Sequence, residues 1–352
     1  MDYLQNTWYA AAWSEDVVAG TMFARTIAEK PLVFFRDTDG GLVALLDRCP
    51  HRFAPLSLGL LEESTVQCRY HGLRFDGAGT CIGNPHGPIT KSHVVPSFPV
   101  VERHTLIWVW LGDQTRADPA TIPDMSYHDD VPATAFNKGY LHANASHLLM
   151  VDNILDLTHA DYMHTETLGN GWITRSRSRV EETDDTLFIE WLGFDEPPTP
   201  LYIPEFAPGT LTDVWLSVLW YPSGAMILRS GMSLPGQKRE EGLDTWNSHI
   251  MTPETATSTH YFHSSTRNYR VDDEAYNQAM YQGLRWAFET QDRPMIEGQQ
   301  KRIGNTDILK LSPVLMRTDG APVRARRMLE RQIAAESMPP LRPPVYAEAK
   351  SS

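Results

Sequence analysis

Two short motifs constrain this 352-residue chain more than any other feature: Cys49-Pro50-His51 and, after 16 intervening residues, Cys68-Arg69-Tyr70-His71. Each pairs a thiolate with an imidazole across a tight turn, so two loops can pinch one metal centre from opposite sides. Two cysteines and two histidines form the mixed ligand set of a [2Fe–2S] cluster, with thiolates on one iron and neutral imidazoles on the other. Zinc accepts the same four side chains, but its fingers normally place a C-x-x-C pair before the histidines. Here each loop supplies one of each, which favours the cluster. Two loops held side by side call for a β-rich frame.

The surrounding pattern supplies that frame. Pro31 to Phe35 and Leu42 to Leu46 flank Asp37-Thr38-Asp39-Gly40-Gly41, a hairpin signal. Further short apolar runs, Thr65 to Cys68, Leu73 to Asp76 and Leu106 to Leu111, end at turn residues. The stretch from Gln114 to Ala135 is rich in Asp, Pro, Thr and Ala with little periodicity, which sets a boundary near residue 120. The expected organisation is a domain over 1–120 holding the cluster and a second over 121–352, an α+β arrangement of antiparallel sheets.

In the second part, Ala143 to Met163 reads as helical. Strands are expected at Thr186 to Leu192, Thr212 to Tyr221, Ala225 to Ser230, Trp246 to Met251 and Ser258 to Ser264. A long helix is expected from a cap at Asp272 or Asp273 to about Ile303, with Pro294 kinking or restarting it. A last helix, Val323 to about Glu336, leads to the Pro339–Pro344 tail, expected to be extended and packed on a surface or a neighbour.

Charge and cysteine content narrow the function. A net charge of −13 without any run of lysine or arginine excludes a basic footprint for nucleic acid or anionic lipid. No apolar stretch reaches the roughly 18 to 20 residues of a membrane span. The N-terminus has no positively charged segment followed by an apolar core, so the chain is expected to be cytoplasmic. Three cysteines are too few for a disulfide framework, and Cys81, outside both motifs, reads as a small buried thiol. His86, His93 and His104 read as surface or structural residues.

A second metal motif follows the boundary. In Val151 to His164, Asn153, Asp156 and His159 recur every three residues, so a helix puts them on one face, and a break before His164 lets both imidazoles reach one ion. Two histidines and a carboxylate make the facial triad of non-haem Fe(II) oxygenases, which leaves coordination positions open for dioxygen. Asp292 is a candidate for the carboxylate because it shares a helix face with Leu284 and Phe288. Glu289 and Glu297 are its rivals on spacing.

Taken together, Asn6-Thr7-Trp8-Tyr9-Ala10-Ala11, Cys49 through Ser57, Tyr70-His71-Gly72-Leu73, Val151 through His164, Thr252-Pro253-Glu254-Thr255 and Arg267-Asn268-Tyr269 resemble the Rieske non-haem iron oxygenases. The likeness is to the branch of vanillate O-demethylase, toluenesulfonate methyl-monooxygenase and dicamba monooxygenase, over nearly the whole chain. It implies an N-terminal Rieske β-domain, a catalytic domain with a helix-flanked antiparallel sheet, and a head-to-tail homotrimer in which one subunit's cluster feeds the next subunit's iron. It implies Cys49, His51, Cys68 and His71 as cluster ligands and His159, His164 and Asp292 as iron ligands. Asp156 matches the carboxylate that links a cluster histidine, here His71, across the interface to His159, and Asn153 matches a residue beside the iron.

The implied reaction uses O2 and two electrons to oxidise a methyl or methoxy group. A hydroxylated methoxy group collapses to a phenol and formaldehyde. The chain has no Gly-rich dinucleotide fingerprint and no ferredoxin-type cysteine spacing, so NADH is expected to serve a separate flavin- and ferredoxin-type reductase. A small aromatic acid is the expected substrate, with Arg229 and His260 as candidates for its carboxylate or sulfonate. Ring hydroxylation and N-demethylation use the same metal centres. A simple Rieske electron carrier would need only the first 120 residues or so.

Overall fold

A computed structural model describes residues 3–337, and the Pro339–Pro344 tail lies outside the described residues. The N-terminal part holds ten short strands: β1 (Thr7–Trp13), β2 (Phe23–Ile27), β3 (Lys30–Arg36), β4 (Leu42–Leu46), β5 (Leu60–Glu62), β6 (Thr65–Gln67), β7 (Arg74–Phe75), β8 (Cys81–Gly83), β9 (Val100–Arg103) and β10 (Leu106–Leu111). They form three antiparallel sheets, ordered β1-β10-β9, β2-β3-β4 and β5-β6-β7-β8. The expected β3–β4 hairpin is present. Its turn is held by the Asp37 carboxylate, which accepts from the Asp39 and Gly41 amides at 3.0 and 2.7 Å, while Gly40 takes φ 83°.

The C-terminal part is built on one seven-stranded antiparallel sheet: β11 (Phe136–Ala143), β12 (Arg179–Glu182), β13 (Leu187–Glu196), β14 (Thr212–Trp220), β15 (Ala225–Ser233), β16 (Leu243–Thr255) and β17 (Ser258–Arg267), in the order β11-β17-β16-β15-β14-β13-β12. The five strands expected from apolar runs are all there, most of them longer than the runs. β11 and β12 were not foreseen, since FNKGYLHA and RVEE carry too few apolar residues to stand out. The helices are α1 (His147–Leu155), α2 (Ala160–Met163), α3 (Trp172–Arg175), α4 (Glu274–Ala287), α5 (Arg293–Ile303) and α6 (Gly320–Ser337).

The helix expected over Ala143 to Met163 is shorter and broken. Ala143 ends β11, Ser146 caps α1, and the chain leaves helical geometry at Asp156 (φ −126°, ψ 86°). The Asp156 carboxylate then caps a 3₁₀ turn over Leu157–His159 by accepting from the Thr158 amide at 3.1 Å. The expected break before His164 is present, since α2 ends at Met163 and His164 takes φ −114°, ψ 38°, and a second break at Asp156 precedes His159. The long C-terminal helix starts at the Asp273 cap, as read from sequence, but α4 and α5 are joined by a π-helical segment, Phe288–Asp292. Such bulges gather at functional sites, and Pro294 falls in the first turn of α5, where its missing N–H costs nothing.

The two faces of the seven-stranded sheet do different jobs because side chains alternate along each strand. One face meets the N-terminal sheets through Trp8, Trp108 and Trp110 against Ala225, Ile250 and Phe262. Truncating one of these buried tryptophans to alanine would cost about 3–5 kcal/mol. The other face, with Leu216, Leu228, Met232, Met251 and Tyr261, carries the helices. Helix α1 is pinned to α6 by a buried fork: Arg326 donates from Nε to both Asp152 carboxylate oxygens at 3.1 Å and from Nη2 to Oδ2 at 2.6 Å.

Candidate active site

The two cysteine motifs fold into near-identical turns. In the first, the Cys49 amide donates to the Ala54 carbonyl and the Phe53 amide donates back to the Cys49 carbonyl, both at 2.9 Å. In the second, the Cys68 amide donates to the Leu73 carbonyl and the Gly72 amide to the Cys68 carbonyl, both at 2.8 Å. Each turn needs one left-handed residue, Phe53 at φ 58° and Gly72 at φ 77°. The first motif follows β4 and the second joins β6 to β7, so a pair of rigid loops faces each other.

Both thiols are buried at 2% exposure, while His51 stands exposed and His71 is half-buried, their rings 4.5 Å apart. Burial, first, and then the adjacent Cys68 thiol raise the Cys49 thiol to about 11, against the lowering effect of backbone amides. A thiol so raised stays protonated unless a metal draws the proton off. Among the described residues the buried Nδ1 of His71 has no hydrogen-bond partner. An unpartnered ring nitrogen beside paired thiols suits a metal ligand better than a structural histidine. The four residues fit a [2Fe–2S] cluster. Cys81 is buried, its thiol directed at the Gly83 carbonyl at 3.4 Å, as expected of an inert residue.

The second centre forms where α1, α2 and the π segment converge. The ring nitrogens of His159 and His164 and a carboxylate oxygen of Asp292 all lie within 4.8 Å of one another. Asp292 Oδ1 is 3.5 Å from His159 Nε2 and 3.3 Å from His164 Nε2. The structure brings Asp292 there rather than its rivals: Glu289 pairs with Arg285 and Glu297 accepts from the Asn144 amide. Burial pulls the Asp292 carboxyl up, but the hydrogen bonds and charges of His159 and His164 outweigh it and hold it well below the usual carboxylate range. The donor set fits a mononuclear iron with open positions.

Both imidazoles have their outer nitrogen anchored. His159 Nδ1 donates to the Asp156 carbonyl at 2.7 Å, and His164 Nδ1 donates to Gln291 Oε1 at 2.7 Å, which leaves each Nε2 lone pair facing the centre. Asn153 adds its amide, 3.3 Å from Asp292 Oδ1 and 3.4 Å from His159 Nε2. Gln291 was not singled out from sequence. Only its position beside Asp292 pointed to it, and adjacency is no signal before the π turn is known. The Asp156 carboxylate faces its own turn, accepting from the Thr158 amide and hydroxyl.

A cavity of about 280 Å³ opens from this centre between β14 to β16 and α4. Its wall is largely apolar, with Leu157, Trp172, Leu216, Leu228, Met280 and Phe288. Among the described residues no lysine or arginine lines it. His249, in the cavity wall, accepts at Nδ1 from the Tyr261 hydroxyl at 2.6 Å, and burial lowers it to about 3, so it is neutral and offers Nε2–H.

The two residues proposed from sequence for a substrate anion are elsewhere. Leu228 and Ser230 face the cavity, so Arg229 between them points through the sheet to the other side, where it pairs with Asp244 and stacks on Trp246 at 5.0 Å. His260 lies on the face turned to the N-terminal part, between the Tyr140 hydroxyl at 2.8 Å and the Thr26 carbonyl at 2.9 Å. Period-two alternation decides both, and neither touches the site.

The N-terminal part, residues 7–99, matches the Rieske [2Fe-2S] domain, and residues 143–335 match the vanillate O-demethylase oxygenase C-terminal domain. The chain belongs to the Rieske non-haem iron oxygenases. It is 36% identical over 340 residues to the chloroacetanilide N-alkylformylase oxygenase component of Rhizorhabdus wittichii, covering 96% of this chain and 97% of that one. It is 37% identical over 336 residues to the dicamba O-demethylase oxygenase component of Stenotrophomonas maltophilia, covering 94% and 98%. A crystal structure of dicamba monooxygenase bound to 3,6-dichlorosalicylic acid superposes with a TM-score of 0.85 at 36% identity, over 96% of this chain and 99% of that one. As a Rieske oxygenase component, this chain is an oxidoreductase that carries a [2Fe–2S] cluster and a mononuclear iron. Among the described residues no helix is long and apolar enough to cross a membrane.

Proposed function

We propose that this Rieske oxygenase is a terminal monooxygenase that removes a methyl group from a small aromatic acid, the O-demethylation named for its dicamba and vanillate relatives. The observation that carries this reading is the cavity: one ring fits its apolar length, and the His159–His164–Asp292 centre closes one end. When bound, the cluster supplies electrons one at a time and the iron activates dioxygen for insertion into a C–H bond. The chain's own residues do the positioning. Trp172, Leu216 and Phe288 hold the ring and exclude water, Asp156 and Gln291 fix both imidazole tautomers, and Asn153 orients the carboxylate.

Electrons are taken from NADH through a separate reductase, in the cytoplasm, and the subunits assemble as a head-to-tail trimer. The exposed His51 with Phe53, Leu58 and Tyr70 around it supports the trimer, since so apolar a rim suits a contact. Mixing a Cys68→Ser variant with a His159→Ala variant tests this. Heterotrimers regain activity if electrons cross between subunits, whereas two inactive variants that never complement would rule the arrangement out.

A second reading, N-dealkylation of a neutral anilide, is favoured by one observation: among the described residues the cavity wall has no lysine or arginine for an acid. Formaldehyde release from vanillate or dicamba by the reductase-coupled enzyme, with the matching phenol, supports O-demethylation. Turnover of chloroacetanilides alone would transfer the assignment to N-dealkylation.

A further inference from the structure

Strand β16 presents Thr245, Asn247 and His249 to the cavity at every second position, a polar line on a largely apolar wall. Each end of the line has one bond within the protein. Thr245 Oγ1 bonds the Tyr202 hydroxyl at 2.9 Å, and His249 Nδ1 bonds Tyr261. Asn247 is different. It is 7% exposed and lines the cavity, and among the described residues its side-chain amide has no hydrogen-bond partner. A carboxamide held on a cavity wall without a partner in the protein is placed to bond a ligand there.

Its place along the cavity gives the geometry. His249 packs edge-on against Phe288, one helical turn before Asp292, which marks the metal end. Thr245 and Tyr202 border the far end near Tyr276. Asn247 therefore stands about 7 Å further from the iron end than His249, two residues along an extended strand. That is on the order of the span of one substituted benzene ring.

We propose that Asn247 is a specificity-determining residue, which binds an sp² oxygen on the ring, carboxylate or amide carbonyl, and thereby sets which alkyl group reaches the metal end. This rests on the aromatic-demethylase reading above. The role asked of Arg229 in the sequence is filled here by a neutral donor. An amide N–H serves a carboxylate and an amide carbonyl alike, and the amide oxygen can in addition accept from an anilide or carboxamide N–H.

The test uses the holoenzyme with dicamba and its carboxamide as probes, read by calorimetry and by quenching of the tryptophans near the cavity. Asn247→Leu should weaken both probes about tenfold. Asn247→Asp keeps the shape but sets an anion against an anion: dicamba binding should fall at least about thirtyfold while the carboxamide, able to donate to Asp, changes by about threefold or less. KM should move with Kd, and formaldehyde per O2 consumed should drop in both variants as the ring loses its orientation. Unchanged cluster and iron content in the variants shows that folding is intact, and Asn247→Ser serves if either fails to fold. Binding of both probes within about twofold of the unsubstituted enzyme in the Asp variant would overturn the assignment. If the unsubstituted enzyme turns over neither these probes nor vanillate, the substrate reading itself fails, a result distinct from an insensitive Asn247.

Discussion

The cluster loops and the iron cleft solve opposite problems with similar ligands. The candidate cluster ligands fall between residues 49 and 71, on two copies of one turn, with His51 exposed at the tip. The candidate iron ligands, from His159 to Asp292, are separated in sequence by six of the seven strands of the larger sheet, and His164 and Asp292 are only 6% and 5% exposed. An electron carrier has to come within reach of its partners, so its histidines face outward. A centre that handles dioxygen and an apolar ring gains from being dry, which the helices over the sheet provide. One site depends on local backbone geometry, the other on long-range packing.

That contrast can be broken most severely at the ligands. Asp292→Asn should abolish turnover and lower iron from about three to about two per chain with the cluster spectrum intact. Cys68→Ser should instead remove the cluster and leave about one iron per chain. If either substitution emptied both sites, the two centres would not be independently held. Replacing Gln291 by Leu leaves His164 Nδ1 without its acceptor, and a loss of roughly 10- to 100-fold in iron affinity or activity is expected, partly recovered in Gln291→Glu. The cluster absorbance should not respond.

Acid should also separate the regions. Burial, foremost, lowers His128 and His263 to about 4 and His147 to about 3, all in the catalytic part or its border. The unfolded chain takes up these protons below about 6.5 while the folded chain refuses them, so stability is complete above pH 6.5 and is lost as pH falls toward 4. Each contributes roughly 2 kcal/mol of loss by pH 5. The urea midpoint should therefore fall between pH 7 and 5, less so in His128→Gln, and a flat profile would refute buried neutral histidines. Two glycines give the smallest contrast. Gly72→Ala should destabilise the cluster turn by about 1–2 kcal/mol because of its left-handed backbone. Gly283, in α4 with open space on the cavity side, should tolerate alanine and gain up to about 1 kcal/mol, with poorer acceptance of bulky rings.

The same difference explains what could be read from sequence. The cluster motif was legible because its ligands are close in the chain, and so were the main strands, whose apolar runs outlast any tertiary adjustment. The His159–His164 pair and the break before His164 were visible as spacing, but the earlier break at Asp156 was not: the aspartate's own capping bond, a local competition, decided it. Asp292 was one of three acids on a helix face, and a π turn that periodicity does not signal decided among them. Arg229 and His260 were misjudged for a single reason. A strand's face is set by register, and one residue's shift moves a side chain through the sheet. Asn247, Gln291 and His249 carry no motif at all, and only their shared surroundings mark them.

The most direct test of two independent centres in one chain is iron quantification paired with EPR of the dithionite-reduced protein. About three irons per chain and a Rieske signal that persists in His159→Ala, with iron there falling to about two, is the expected result. Zinc in place of iron, or no Rieske signal from protein with Cys49, His51, Cys68 and His71 intact, would contradict it.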